Sequence, residues 1–274
     1  MLRLETETGW WLVTHPDHAR LSGDFAERWG NDRFQRPEPR EHVLRGIRRH
    51  DDGWIARDSL PQITRQGKPS AFSIEFVGKY SGFEEIDLVD FLAVRDSAVR
   101  EIAAEDPYAA LLISMHTYNL LNERSDKSTI SPAQLPLMEQ FLKQQKEFQG
   151  TLRNQIASDA RFTQDQSSDG TIFDHFRLLQ AMDYLSLLTC VDFRNPAHLL
   201  HPLPTRDGGH TPIQVRPIAQ RHFILDPYPF PEASLTVQFP ARHIKGKIFS
   251  SSAELQNAIA ASPKETLAVT VSTN

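Results

Sequence analysis

The chain has 274 residues, enough for one large domain or a domain with a smaller appendage, and enough to bury a sizeable core. Its formal net charge of −5 argues against a general nucleic-acid binder, which is normally basic, and the lack of any long uncharged apolar run argues against a transmembrane helix. The single cysteine, Cys190, has no partner for an internal disulfide and the acidic start lacks a signal-peptide pattern, so a cytoplasmic location is expected.

In chain order, Gly9–Val13 reads as a short strand or a buried lead-in. Thr14, Pro16 and Asp17 then make a helix start: a capping side chain, a proline and an acid in the first turn. In that helix His18, Leu21, Ser22, Phe25 and Trp29 recur at steps of three and four, so His18 faces the core. Gly30-Asn31-Asp32 stops it, and residues 34–40 read as a loop. Val43, Leu44 and Ile47 mark a second amphipathic helix, whose end is placed at Gly53 as a left-handed cap. The stretch His50-Asp51-Asp52-Gly53-Trp54 thus sets an imidazole and a carboxylate side by side at a helix terminus, where the backbone can aim both at one point. Residues 58–83, broken by Pro61, Gly67, Pro69, Gly78 and Gly82, read as a long ordered loop.

A helix is expected over residues 87–104. Asp106-Pro107 starts another, which carries Leu111, Leu112, Met115, His116 and Leu120. Ser131-Pro132 starts a long helix through Phe148 towards Ile156, and residues 158–170 form a polar loop. The last long helix covers residues 171–191, with Phe173, Phe176, Leu179, Met182, Leu185 and Leu188 as its apolar members and Asp183 in its middle. From Asn195 on, proline and glycine punctuate the chain. Residues 221–225, 234–239 and 267–271 alternate as strands do, and Ser252–Ala261 reads as a short helix. The expected fold is therefore mainly α, essentially all-α over residues 1–195, with a small β-rich C-terminal region, residues 196–274, packed on it as a small antiparallel sheet.

The inward polar residues are His18, His50, Asp51, His116 and Asp183. Buried imidazoles and carboxylates are costly unless paired or bound to a metal, and this donor set suits zinc, manganese, iron or nickel. Cys190, in an apolar run, reads as a core thiol. His15 reads as a surface or capping residue and Asp174-His175 as an exposed pair. The arginine run Arg33, Arg36, Arg40, Arg45, Arg48, Arg49 and Arg57 reads mainly as a solvated face. Lys68, in Gly67-Lys68-Pro69, is a candidate phosphate contact, although no P-loop, nucleophile elbow or dinucleotide fingerprint is present.

The order of these residues resembles the HD superfamily of metal-dependent phosphohydrolases: His18 on one helix, His50-Asp51 at the end of another, and Asp183 within Gln180-Ala181-Met182-Asp183-Tyr184-Leu185-Ser186 on a late one. That resemblance covers the helical part. His15-Pro16-Asp17-His18, His50-Asp51-Asp52-Gly53-Trp54, Gly67-Lys68-Pro69 and Ser114-Met115-His116 together are similar, over most of the chain, to an uncharacterised bacterial family of unknown function. The HD resemblance implies one or two divalent ions held by His18, His50, Asp51 and Asp183, with His116 as the candidate for a second ion and Asp51 as the bridge. Asp52 would orient a ligand histidine and Lys68 would meet phosphate. The implied reaction is hydrolysis of a small phosphate ester or nucleotide-like substrate. An HD-type di-iron oxygenase and a non-catalytic ligand-binding module are the alternatives. The second histidine pair that marks cyclic-dinucleotide phosphodiesterases is absent. The expected partner is a small molecule, with no nucleic acid and no membrane. Removal of Asp51 is expected to spare the fold.

Overall fold

The structure is a computed structural model and describes residues 1–78 and 87–274. Two strands open the chain, β1 (Leu2–Glu5) and β2 (Gly9–Val13), paired as an antiparallel hairpin. Helix α1 (His15–Arg28) starts at Thr14, whose side chain accepts from the Asp17 N–H. Helix α2 (Arg40–Arg49) runs into a 3-10 turn at Asp52–Trp54 and the short α3 (Ile55–Ser59). Helices α4 (Leu88–Ala103) and α5 (Pro107–Asn122) are each capped by an aspartate, Asp87 and Asp106, that accepts from two backbone N–H groups of the first turn. Helices α6 (Leu135–Ser158) and α7 (Asp169–Cys190) complete the helical layer.

The remainder is β3 (Ala197–His198), β4 (Leu203–Pro204), β5 (His210–Thr211), β6 (Gln214–Ala219), β7 (His222–Asp226), β8 (Ser234–Lys245), helix α8 (Ser252–Ala261) and β9 (Lys264–Ser272). Strands β4 and β5 form a separate ribbon; the other strands form one seven-stranded sheet in the order β1-β2-β8-β9-β7-β6-β3. Its neighbours are antiparallel except β7 and β9. The long β8 binds the sheet together. Its C-terminal half pairs with β2, from Gly9↔Lys245 to Leu12↔Arg242, and β9 lies along its other edge, from Ser234↔Ser272 to Arg242↔Lys264.

This sheet overturns the expectation of a mainly α, all-α fold with a small C-terminal sheet. The chain is 47% helix and 20% strand, and the sheet is curled into a half-barrel that takes strands from both ends of the sequence. The physical reason is that strand pairing is non-local. Leu2-Arg3-Leu4-Glu5 is too short and charged to announce a strand without its neighbour β2. The alternation in β8 reads as ending at Phe239 because Pro240 and Arg242 follow, yet Ala241 continues the buried face of Leu235 and Phe239, and Ile244 is buried on the opposite face.

Alternation along β2 shows how the sheet divides the molecule. Trp11 and Val13 join the main core, which is shared with Phe25, Leu111, Leu179 and Leu185 of the helices and with Val269 and Val271 of β9. Trp10 and Leu12 point the other way, into a smaller cluster with Ile244, Phe249 and Leu255 of α8. The first part of the long loop is held against this second face: Gly67 accepts from the Phe249 N–H, and Phe72 bridges to Leu2. Residues 79–83 of that expected loop lie outside the described residues. Among the described residues, no helix is long and apolar enough to cross a membrane.

One local difference matters for the site. Helix α2 ends at Arg49, with His50 as a right-handed cap, and Gly53 is not a left-handed cap. It sits in the 3-10 turn, where a Cβ would meet the Val94 carbonyl oxygen at 2.2 Å. Glycine there lets α4 pack directly on the turn.

Candidate metal centre

Four helices bring five side chains to one point. The inward face of α1 carries His18 among Leu21, Ser22 and Phe25, all buried. His50 and Asp51 leave the end of α2, His116 projects from α5, and Asp183 projects from the middle of α7. Relative exposures are 1% for His18, 0% for His50, 4% for Asp51, 2% for His116 and 7% for Asp183, so solvent reaches the cluster best at Asp183.

His18 Nε2 lies 2.9 Å from Asp51 Oδ2, and His50 Nε2 lies 3.2 Å from Asp183 Oδ1 and 3.8 Å from Asp51 Oδ2. His116 Nε2 is 4.0 Å from Asp183 Oδ2. Two triads result, His18–His50–Asp51 and His50–His116–Asp183, and within each the candidate ligand atoms all lie within 4.8 Å of one another. Ligands about 2 Å from a common ion stand roughly 3–4 Å apart, so the spacing suits a metal.

The hydrogen bonds decide which atoms are free. Nδ1 of His50 donates to the Ile47 carbonyl at 2.7 Å, which leaves Nε2 with its only lone pair. This Nε2 is buried and has no well-directed hydrogen bond. Ser186 donates its hydroxyl proton to the Asp183 carbonyl at 2.8 Å, and so accepts from Nδ1 of His18, also at 2.8 Å. The Nε2 lone pair of His18 then faces the Asp51 carboxylate, a contact that either a proton or a metal ion between them would satisfy. Because His50 offers one lone pair, the triads cannot each hold an ion through it.

The titration behaviour agrees. Burial works against charge on His50, but the carboxylates of Asp51 and Asp183 and the Ile47 carbonyl outweigh it and raise its pKa. Burial likewise opposes the ionised Asp51, yet Arg95, His50 and His18 hold its carboxyl well below the usual range. The Asp183 carboxyl is brought to about 2, against its own burial, mainly by His50. Burial pulls His116 down to about 3, so it is a neutral imidazole. Its Nδ1 takes a long hydrogen bond, 3.4 Å, from the Gln180 amide, whose oxygen accepts from His201 Nε2 at 2.6 Å.

Two other expected site residues do not join the five. The Asp52 carboxylate is taken up by Arg20 Nη1 at 2.6 Å and Arg49 Nε at 2.8 Å. Lys68 lies on the loop against α8, where its charge acts on Glu5 of β1, and among the described residues no contact links it to the cluster. His175 is not exposed. It is buried and hydrogen-bonded to the Tyr108 hydroxyl at 2.8 Å. His15 is not on the surface either: it opens α1, pairs with Asp58 at 3.1 Å and stacks on Trp54 with ring centroids 4.3 Å apart. A cleft of about 360 Å³ lined by Trp29, Arg36, Asp165, Asp174 and His175 includes none of the five cluster residues.

Sequence reasoning missed Arg95 and Ser186. Arg95, on α4, is 7% exposed and donates from Nη1 to Asp51 Oδ1 at 2.5 Å. Its signal was present: Leu88, Leu92, Arg95, Val99 and Ile102 follow each other at steps of four and three, so a cation occupies an inward position of an apolar stripe. Ser186, one turn after Asp183, is equally inward.

A family model described as "Protein of unknown function (DUF3891)" matches residues 1–246. No curated protein and no solved structure matches the chain.

Proposed function

The chain belongs to the DUF3891 family, whose description assigns no activity, and from the buried cluster itself we propose a metal-dependent phosphohydrolase acting on a small phosphate ester or a nucleotide-like molecule. The observation that carries this reading is the free Nε2 of His50, buried between the carboxylates of Asp51 and Asp183. Imidazole and carboxylate donors of this kind suit zinc, manganese, iron or nickel. The order His, His-Asp, Asp resembles the HD superfamily and supports the same reading.

His18, His50, Asp51 and Asp183 would hold the ion; His116, a neutral imidazole whose Nδ1 accepts from Gln180, carries its proton on Nε2 and would stand beside the ion near Asp183 rather than ligate it. A divalent ion lowers the pKa of bound water and offsets charge on phosphoryl oxygens. The chain's own groups do the rest. Ser186 and the Ile47 carbonyl fix the two imidazoles with Nε2 turned inward. Arg95 holds Asp51 ionised. Two carboxylates against Arg95 and a divalent ion leave the centre with net positive charge, which attracts an anionic substrate. The substrate enters at Asp183, the most exposed of the five residues. The lone Cys190 is buried with its thiol pKa raised by burial, which suits a cytoplasmic protein.

The test is elemental analysis of purified protein, before and after reconstitution with zinc, manganese, nickel and ferrous iron, followed by phosphate release from a panel of monoesters, diesters and nucleotides. The expected result is bound divalent metal and turnover of at least one class, both lost in Asp183→Asn. Failure to bind any of these metals overturns the reading. Two irons per chain with no phosphate released would favour the oxygenase chemistry instead.

A further inference from the structure

We infer that Arg95 is a built-in cation that limits the centre to a single metal ion, by occupying the outer oxygen of Asp51 where a second ion would bind. This rests on the metal-centre reading above. In a two-ion centre bridged by Asp51, one carboxylate oxygen would serve each ion. Asp51 is placed to bridge at the junction of α2 and the 3-10 turn, but only its Oδ2 faces the histidines, at 2.9 Å from His18 and 3.8 Å from His50. Its Oδ1 is held by Arg95 Nη1 at 2.5 Å.

Arg95 is also locked in place. Its guanidinium lies over the rings of Trp54 and Phe91, 5.5 and 5.2 Å from their centroids, and the residue is 7% exposed. Helix α4 is seated on the turn at Gly53, whose missing Cβ would meet the carbonyl oxygen of Val94, the residue before Arg95, at 2.2 Å. The guanidinium does not deprotonate, so a second divalent ion at Oδ1 would meet a permanent positive charge at contact distance. Nor is another set of ligands complete. The single lone pair of His50 is committed to the first ion, and His116 carries its proton on Nε2 because its Nδ1 accepts from Gln180, which leaves Asp183 Oδ2 of that triad.

The experiment loads the full chain with Mn2+, removes excess by desalting, and reads manganese per chain together with the electron paramagnetic resonance line shape. The wild type should hold about one Mn2+ with the spectrum of an isolated ion. Arg95→Lys, which keeps the charge, should behave the same. Arg95→Met should take up about two Mn2+ at saturating metal, with the line broadened by coupling between neighbouring ions. Arg95→Gln, neutral but still able to donate to Asp51, gives the same reading if Arg95→Met does not fold. Two coupled ions in the wild type overturn the inference and leave the metal centre standing. A folded neutral variant that still stops at one ion also overturns it. No bound ion in the wild type overturns the centre, and this inference with it.

Discussion

Replacing Asp51 by alanine removes the only acidic partner that Arg95 has among the described residues. From sequence alone the fold is expected to tolerate this, because a buried carboxylate leaves the core. Arg95 reverses that expectation. Both side chains are buried, at 8% and 5% exposure, and they meet at 2.5 Å. Removing one member of such a pair strands the other charge in low dielectric, which costs about 3–5 kcal/mol. Among the described residues Nε of Arg95 has no hydrogen-bond partner, so the guanidinium would be left with still less compensation. His18 Nε2 would lose its neighbour as well. Urea denaturation in the presence of a chelator isolates this effect from any loss of bound metal. Asp51→Ala should lower the unfolding free energy by about 3–5 kcal/mol. The double variant Asp51→Ala/Arg95→Met should be clearly more stable than the sum of the single changes allows, because the stranded charge is gone. An Asp51→Ala protein within about 1 kcal/mol of wild type in chelator would refute the reasoning, since that is the range of an exposed pair.

Gly53→Ala should destabilise by about 1–3 kcal/mol, the usual cost of overpacking, because its Cβ would lie 2.2 Å from the Val94 carbonyl oxygen. Gly150→Ala should instead stabilise by roughly 0.5–1 kcal/mol, the gain of alanine over glycine in a helix, because Gly150 lies inside α6 with open space around it; thermal melts of the two variants would show opposite shifts. Burial holds His175 at about 4, below its ordinary 6.5. Between these values the unfolded chain binds a proton that the folded chain does not, so stability is fully present above pH 6.5 and falls as the pH drops towards 4. The shift corresponds to about 3 kcal/mol. His15 is lowered in the same direction, so the difference between wild type and His175→Gln in denaturation series from pH 7 to pH 4 isolates the His175 share. A wild type and variant with equal pH slopes would sink this assignment.

Much of the helical layer was legible because its signals are local. Thr14, Pro16 and Asp17 start α1, Asp106-Pro107 starts α5, and residues 252–261 form α8. A cap and a period are each written within a turn or two of chain. Three of the five cluster residues were legible for a related reason. His18, His116 and Asp183 lie on otherwise apolar inward faces, and helical period says which way such a face points, whereas His50 and Asp51 stand past the last residue of α2, where that period no longer applies.

The sheet was not legible to the same degree. The pairing of Gly9–Val13 with Arg242–Lys245 joins opposite ends of the chain, and no pattern in either segment names the other. Arg95 shows the same limit. Its period put it inward, but a lone inward arginine has no evident reason until Asp51 arrives from another helix.

Asp51 and Asp52 mark the boundary most sharply. They are adjacent, identical in type and both buried, and composition alone made either one a candidate for the site. Helix α2 ends at Arg49, so the backbone turns between the two residues: Asp51 has φ −116° and ψ 17°, outside the helical region, and Asp52 begins the 3-10 turn. That turn, with Arg95 and His18 on one side and Arg20 and Arg49 on the other, aims one carboxylate at the histidines and the other at the surface arginines. Sequence determined that a histidine and two acids stand at the end of a helix, because residue type and helical period are local properties. Only the tertiary structure decided which acid faces the centre, because that depends on charges supplied by α1 and α4, helices remote in sequence and adjacent in space.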